Sequence, residues 1–271
     1  VTLLALLFGL LIGSFLNVCI YRLPRDLSVT RPRRSYCPHC KNTIAWYDNV
    51  PLISYVLLRG RCRRCGGSIS LRYPTVELLT GVLFAAAVHQ FEATAMAAKA
   101  CLVAALLVGL IFADLEEFIL PDEFTLGGLA AGLVLAYFIE VDDQTARALL
   151  WVAGVEVGGG AGSVVEAALG AMLPAGLLWA GGALYEKVRK REGLGFGDVK
   201  MMAMMGAFFG LGGALLAMIV GSVLGSVIGL AYIKITRQDA ATTHLPFGTF
   251  LGAGGLATLF AGPTLSGWYG G

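Results

Sequence analysis

Six residues of this chain combine type and spacing in a way that does chemistry: four cysteines in two close pairs, and two aspartates at the ends of apolar runs. The cysteines stand as Cys37-Pro38-His39-Cys40 and Cys62-Arg63-Arg64-Cys65, with 21 residues between the pairs. Each Cys-x-x-Cys pair makes a tight knuckle that turns two thiolates to one side, and the second pair completes a tetrahedron around Zn2+, the zinc-ribbon pattern. Four protein ligands close such a site, so the metal is structural, and Arg61, Arg63 and Arg64 help offset the thiolate charge. Two disulfides are the alternative. His39 reads as a solvated knuckle residue, and Cys19 and Cys101 as small apolar fillers of helices.

The aspartates are Asp114, which closes a run ending Phe112-Ala113-Asp114, and Asp198, which opens another in Gly195-Phe196-Gly197-Asp198-Val199-Lys200. A carboxylate at the end of a membrane run is costly unless it faces a polar cavity, which makes both functional candidates. Two carboxyls at close range share a proton: one stays protonated while the other acts as a base on water, the aspartic protease arrangement. Gly195 and Gly197 let backbone approach closely at the turn, as an extended substrate segment requires. A phosphate-cradling loop fits worse, because an acidic residue at the helix start repels phosphate. The plainer reading makes Asp198 a helix N-cap and Asp114 an interfacial residue. On the residues alone both readings stay open. If the two do pair, the helix dipole favours an ionised Asp198 at a helix start and a protonated Asp114 at a helix end.

The elements that must position these residues are membrane helices. The chain has 271 residues, 57% apolar and only 14% charged, with a mean hydropathy of +0.75. Soluble domains carry about 25% charged residues, so a water-soluble globular enzyme, a disordered chain and a collagen are all excluded. About eight apolar runs approach the ~20 residues that cross a bilayer. They lie near Val1–Ile20, Pro74–Phe91, Ala97–Ala113, Phe124–Ile139, Val164–Tyr185, Val199–Leu211, Gly213–Ile235 and Phe247–Gly262. The first lacks a basic start and a small-residue cleavage site, so it is expected to be a retained helix and not a secretory signal.

Lysine and arginine collect on the cytoplasmic side of membrane proteins. With eight crossings, eighteen of the 20 basic residues fall on one side, eleven of them between Tyr21 and Tyr73, and only Lys99 and Arg147 fall on the other. Both termini are then expected outside and the cysteine loop inside, in a reducing compartment where disulfides are rare, which favours zinc. Glu140, Asp142, Asp143, Glu156 and the Gly158–Gly160 run read as a flexible acidic loop on the outer face. The expected fold is an all-α polytopic membrane protein of about eight transmembrane helices with a small cytoplasmic zinc-ribbon-like loop domain. The expected domains are residues 1–20 as a first helix, 21–73 as the four-cysteine loop and 74–271 as the membrane domain that carries the aspartates.

Further landmarks run almost the whole length of the chain: Gly13-Ser14-Phe15-Leu16-Asn17-Val18, Tyr21-Arg22-Leu23-Pro24, Asn49 to Tyr55, Arg72-Tyr73-Pro74 with Glu77, Asp114 with Leu120-Pro121-Asp122, Gly195 to Lys200, and Pro246-Phe247-Gly248. Their types and order resemble the bacterial type IV prepilin peptidases, bifunctional leader peptidases and N-methyltransferases. The resemblance implies that Asp114 and Asp198 are the catalytic pair, and that Glu116, Glu117, Asp122 and Glu123 are solvated or structural neighbours. It implies cleavage of the basic leader from prepilins and pseudopilins at the cytoplasmic face of the bacterial inner membrane, with substrate helices entering through a lateral groove. It also implies methyl transfer from S-adenosylmethionine to the new amino terminus, associated with the cysteine loop and a Gly-Lys step before the second cysteine pair. Here that step is Gly60-Arg61, which keeps the charge but not the compact ammonium. No nucleic-acid partner is expected. A rival of another class is a membrane transporter that binds ions at its aspartates and is gated by a zinc-bearing loop.

Overall fold

The structure is a computed structural model that describes residues 1–141, 143–155, 158–191, 193–237 and 245–269, the side chains through 261. Among the described residues it is helical, with no named strand. The helices are α1 (Thr2–Arg22), α2 (Ile53–Leu57), α3 (Arg72–Phe91), α4 (Ala95–Glu117), α5 (Asp122–Phe138), α6 (Gln144–Val152), α7 (Gly159–Arg189), α8 (Phe196–Thr236) and α9 (Phe247–Tyr269). Short 3-10 turns at Leu23–Arg25 and Trp46–Asn49 punctuate the loop after α1. The chain divides into two compact units, Val1–Phe112 and Ala113–Gly271.

Four stretches are long and apolar enough to cross a membrane: Thr2–Arg25, Ala95–Glu117, Gly159–Arg189 and Phe196–Thr236, with Phe247–Ala261 a shorter apolar helix. In α1, Gly9 and Gly13 are buried while Leu4, Phe8, Leu11 and Phe15 are exposed. Lipid tails are as apolar as leucine, so membrane helices associate through close backbone approach at small residues and leave bulky side chains to the lipid. A Cβ on Gly13 would come within 2.7 Å of the Glu77 Cα in α3, and one on Gly221 of α8 within 2.9 Å of the Leu251 Cα in α9.

The 41 residues of α8 would extend about 60 Å if straight, twice the ~30 Å hydrocarbon core. They are not straight. Gly210 interrupts the helix with φ 73° and ψ −174°, a conformation essentially confined to glycine. The sequence places this break between Val199–Leu211 and Gly213–Ile235, two residues further on.

The break is held by Asp143, and here the reading of a flexible acidic outer loop is corrected. Asp143 is buried. Its carboxylate accepts the backbone N–H of Thr145, capping α6, and those of Leu211 and Gly212 just past the break in α8. One anion thus satisfies unpaired N–H groups at two helix starts, where the dipole favours it. Nearby, Arg147 of α6 donates to Glu166 of α7 at 2.7 Å, and Gly159 already begins α7. Asp142 and Glu156 lie outside the described residues.

Candidate active site and cysteine centre

In the second unit, four helix ends meet around the two aspartates. Asp114 lies in the last turn of α4 and Asp198 in the first turn of α8, both buried. They are close enough for the charge of Asp114 to act on Asp198. Pro246 precedes α9, and the N–H and hydroxyl of Thr249 in its first turn both donate to Asp114 Oδ2, at 2.6 and 3.0 Å. The N–H is one that a helix start cannot pair within the helix. Asp114 therefore meets the end of one helix and the start of another, and the helix-end argument that places the proton on Asp114 loses its premise. With two donors on Oδ2, Oδ1 is the Asp114 oxygen left for water or a proton.

Leu120, before α5, packs between the motifs. A Cβ on Gly197 would fall 3.1 Å from the Leu120 Cβ, and one on Gly248 3.0 Å from the Leu120 Cδ1 and 3.1 Å from Asp114 Oδ2. A side chain at position 195 would start 3.3 Å from Asp198 Oδ2. These glycines keep bulk away from the carboxyls. Lys200 Nζ donates to Asp122 Oδ1 and ties the start of α8 to that of α5. Glu116 and Asp122 are exposed and Glu117 half-buried. Sequence reasoning missed Thr249 and the role of Leu120. The signal for Thr249 was a proline two residues before its glycine neighbour, an N-terminal helix mark.

The cysteines belong to the first unit, and all four sulfurs lie within 4.8 Å of one another. None is disulfide-bonded. The two knuckles repeat the same hydrogen bonds. Cys37 N–H donates to Asn42 O and Lys41 N–H to Cys37 O; Cys62 N–H donates to Gly67 O and Gly66 N–H to Cys62 O. Lys41 and Gly66 share a left-handed φ, 59° and 70°. Each knuckle closes on one antiparallel bridge, Tyr36 with Thr43 and Arg61 with Ser68. The Cys37 and Cys65 sulfurs are 3.9 Å apart, close to the roughly 3.8 Å edge of a tetrahedron with ~2.3 Å Zn–S bonds.

The electrostatics fit a cation. Backbone and side-chain N–H groups of Asn42 lower the Cys40 thiol to about 6, and the Cys65 and Arg64 N–H groups lower Cys62. Cys65 receives the Gly67 N–H, yet desolvation and three neighbouring thiols push it up to about 11. Sulfurs this close oppose ionisation of the last of them, an opposition that a cation among them would relieve. Arg63 is engaged elsewhere, in a fork on Asp48 at 2.6–3.1 Å, which holds that carboxyl below its usual range. Gly60 has φ 66°, and a Cβ there would meet the Tyr55 hydroxyl at 2.9 Å. The turn itself therefore calls for glycine at 60, while Arg61 is exposed.

Residues 7–91 match the bacterial peptidase A24 N-terminal domain and residues 100–230 the type IV leader peptidase family. A prepilin leader peptidase/N-methyltransferase of Myxococcus xanthus is 40% identical over 87% of this chain and 64% of its own length. Those of Aeromonas hydrophila and Legionella pneumophila are 34% and 35% identical over 98% and 97% of this chain and 92% of their own lengths. No solved structure matches. The relatives lend the ion-transport reading no support. With both halves of the chain matched in order, and near-complete relatives above 30% identity, the chain belongs to the type IV prepilin leader peptidase/N-methyltransferase family.

Proposed function

We propose that this protein is a membrane aspartic endopeptidase that removes the basic leader from prepilins and pseudopilins and then methylates the new amino terminus with S-adenosylmethionine. The observation that carries the peptidase reading is the meeting of Asp114 and Asp198 at converging helix ends, with Thr249 on one of them. The carboxyls share one proton. The ionised partner takes a proton from water as the water oxygen attacks the scissile carbonyl carbon, and the protonated partner gives its proton to the carbonyl oxygen. Collapse of the tetrahedral intermediate breaks the C–N bond: the leaving amine takes a proton from the carboxyl that received one, and a hydroxyl of the intermediate returns its proton to the other carboxyl as the C=O re-forms. The Thr249 donors hold Asp114 in one orientation through this cycle.

The finer reading keeps eight crossings, with both termini outside and the active site at the cytoplasmic face of the bacterial inner membrane. Residues 74–271 form the peptidase domain and residues 21–73 the loop associated with methyl transfer. Cys37, Cys40, Cys62 and Cys65 would hold a structural Zn2+, whose binding energy contributes to folding of the loop. For Gly60-Arg61, the exposed arginine beside the second knuckle is the candidate for contact with the methyl donor. Incubating the purified protein with a prepilin, with and without S-adenosylmethionine, tests both activities; an uncut prepilin would refute the peptidase.

A further inference from the structure

The first unit carries an apolar face that no described residue covers. In α2, Ile53, Val56 and Leu57 stand at positions i, i+3 and i+4, one stripe of a helix, and Val56 and Leu57 are 72% and 75% exposed. Trp46, at the head of the same segment, and Leu71, before α3, are exposed as well. The opposite side of the segment is built in. Pro51 and Ser54 are buried, and the Ser54 hydroxyl donates to Tyr47 O and accepts the Val50 N–H.

The depth of this segment is fixed by one hydrogen bond. Leu52 N–H donates to Glu77 Oε2 at 2.9 Å, from a residue held at φ 59° and ψ −48°. Glu77 packs on Gly13 of α1 and receives the Ser14 hydroxyl. One turn further along the same contact, Asn17 donates to Tyr73 O at 3.0 Å. Gly13 and Ser14 lie eight or nine residues before Arg22 in α1, about 12 Å along a helix at ~1.5 Å per residue. α1 lies within a stretch able to cross the membrane. Even allowing for the reach of a glutamate side chain, Leu52 is held inside the end of that helix, not above it.

We propose that α2 is an interfacial anchor, with Ile53, Val56 and Leu57 embedded at the headgroup–acyl boundary of the bilayer. Leu11, Phe15, Leu78 and Val82 are exposed as well on α1 and α3, the helices that hold this segment through Glu77. Arg59 follows the stripe and is exposed, as in interfacial helices whose apolar face enters ~5–10 Å while cationic side chains meet anionic headgroups. The cysteine loop is then clamped to the membrane surface at both α2 and α1, whatever chemistry it performs.

Tryptophan quenching tests this. Leu57→Trp, and Arg34→Trp as an exposed control in the loop, are placed in nanodiscs of phosphatidylethanolamine and phosphatidylglycerol brominated on the acyl chain. The proposal expects the bromines to remove most of the emission added by Leu57→Trp, and little of that added by Arg34→Trp. Adding Glu77→Ala to Leu57→Trp should lessen the quenching while the protein stays monodisperse. Equal, weak quenching at both positions would overturn the proposal. So would a Leu57→Trp emission that ignores the lipid but shifts to the blue when prepilin is added, which would assign the face to the apolar helix of the substrate.

Discussion

In the proposed mechanism Asp114 depends on the two hydrogen bonds by which Thr249 holds it. Loss of a hydrogen bond to a charged group costs about 1.5–3 kcal/mol. Thr249→Val removes the hydroxyl and keeps the N–H, so the cleavage rate should fall by roughly tenfold or more with little change in prepilin KM, and Thr249→Ser should restore it. Asp114→Asn and Asp198→Asn each remove a proton-transfer group, and cleavage should drop at least ~100-fold while the variants remain monodisperse and equally thermostable. Substantial cleavage by either variant would remove that residue from the pair. The two aspartates stood out as candidates because Asp114 closes an apolar run and Asp198 opens one beside a local motif, whereas the residues alone left the catalytic and the capping readings both open. Thr249 was not legible, because it reaches Asp114 across 135 residues, a pairing no local pattern encodes.

The first leg of α8, from Phe196 to Gly210, is fixed at both ends, by the Lys200–Asp122 pair and Leu120 at its start and by Asp143 where it breaks. Gly210→Ala forces a side chain into a glycine-only conformation at a cost of ~1–3 kcal/mol, and should lower the melting temperature in detergent. The boundary between two apolar runs placed the break to within two residues of Gly210. The clamp was illegible because Asp143 sits among acidic and glycine residues whose composition reads as a solvated loop, and its partners lie 68 residues away. The knuckles are the opposite case: each closes within about six residues, so spacing alone specified them. Cys62→Ser should strip the metal, measured as zinc per chain, and lower methylation more than cleavage, because the cysteines and the aspartates belong to different compact units. Equal loss of both activities would make the ribbon a support for the whole enzyme.

Across the whole chain, composition identified a membrane protein, because 14% charged residues cannot cover an aqueous surface and the apolar runs are long enough to cross a bilayer. How many helices cross rests on charge asymmetry. Cysteine labelling in intact cells checks it: a cysteine in place of Ser35 should resist a membrane-impermeant reagent until the cells are opened, whereas efficient labelling from outside would overturn the topology. Mass spectrometry of prepilin incubated with the purified protein shows whether one chain cuts a prepilin and then methylates the product. The expected result is loss of the leader mass without S-adenosylmethionine, and with it the same cleavage plus the mass of one methylene on the new amino terminus. Prepilin recovered at its original mass under both conditions would rule out both activities.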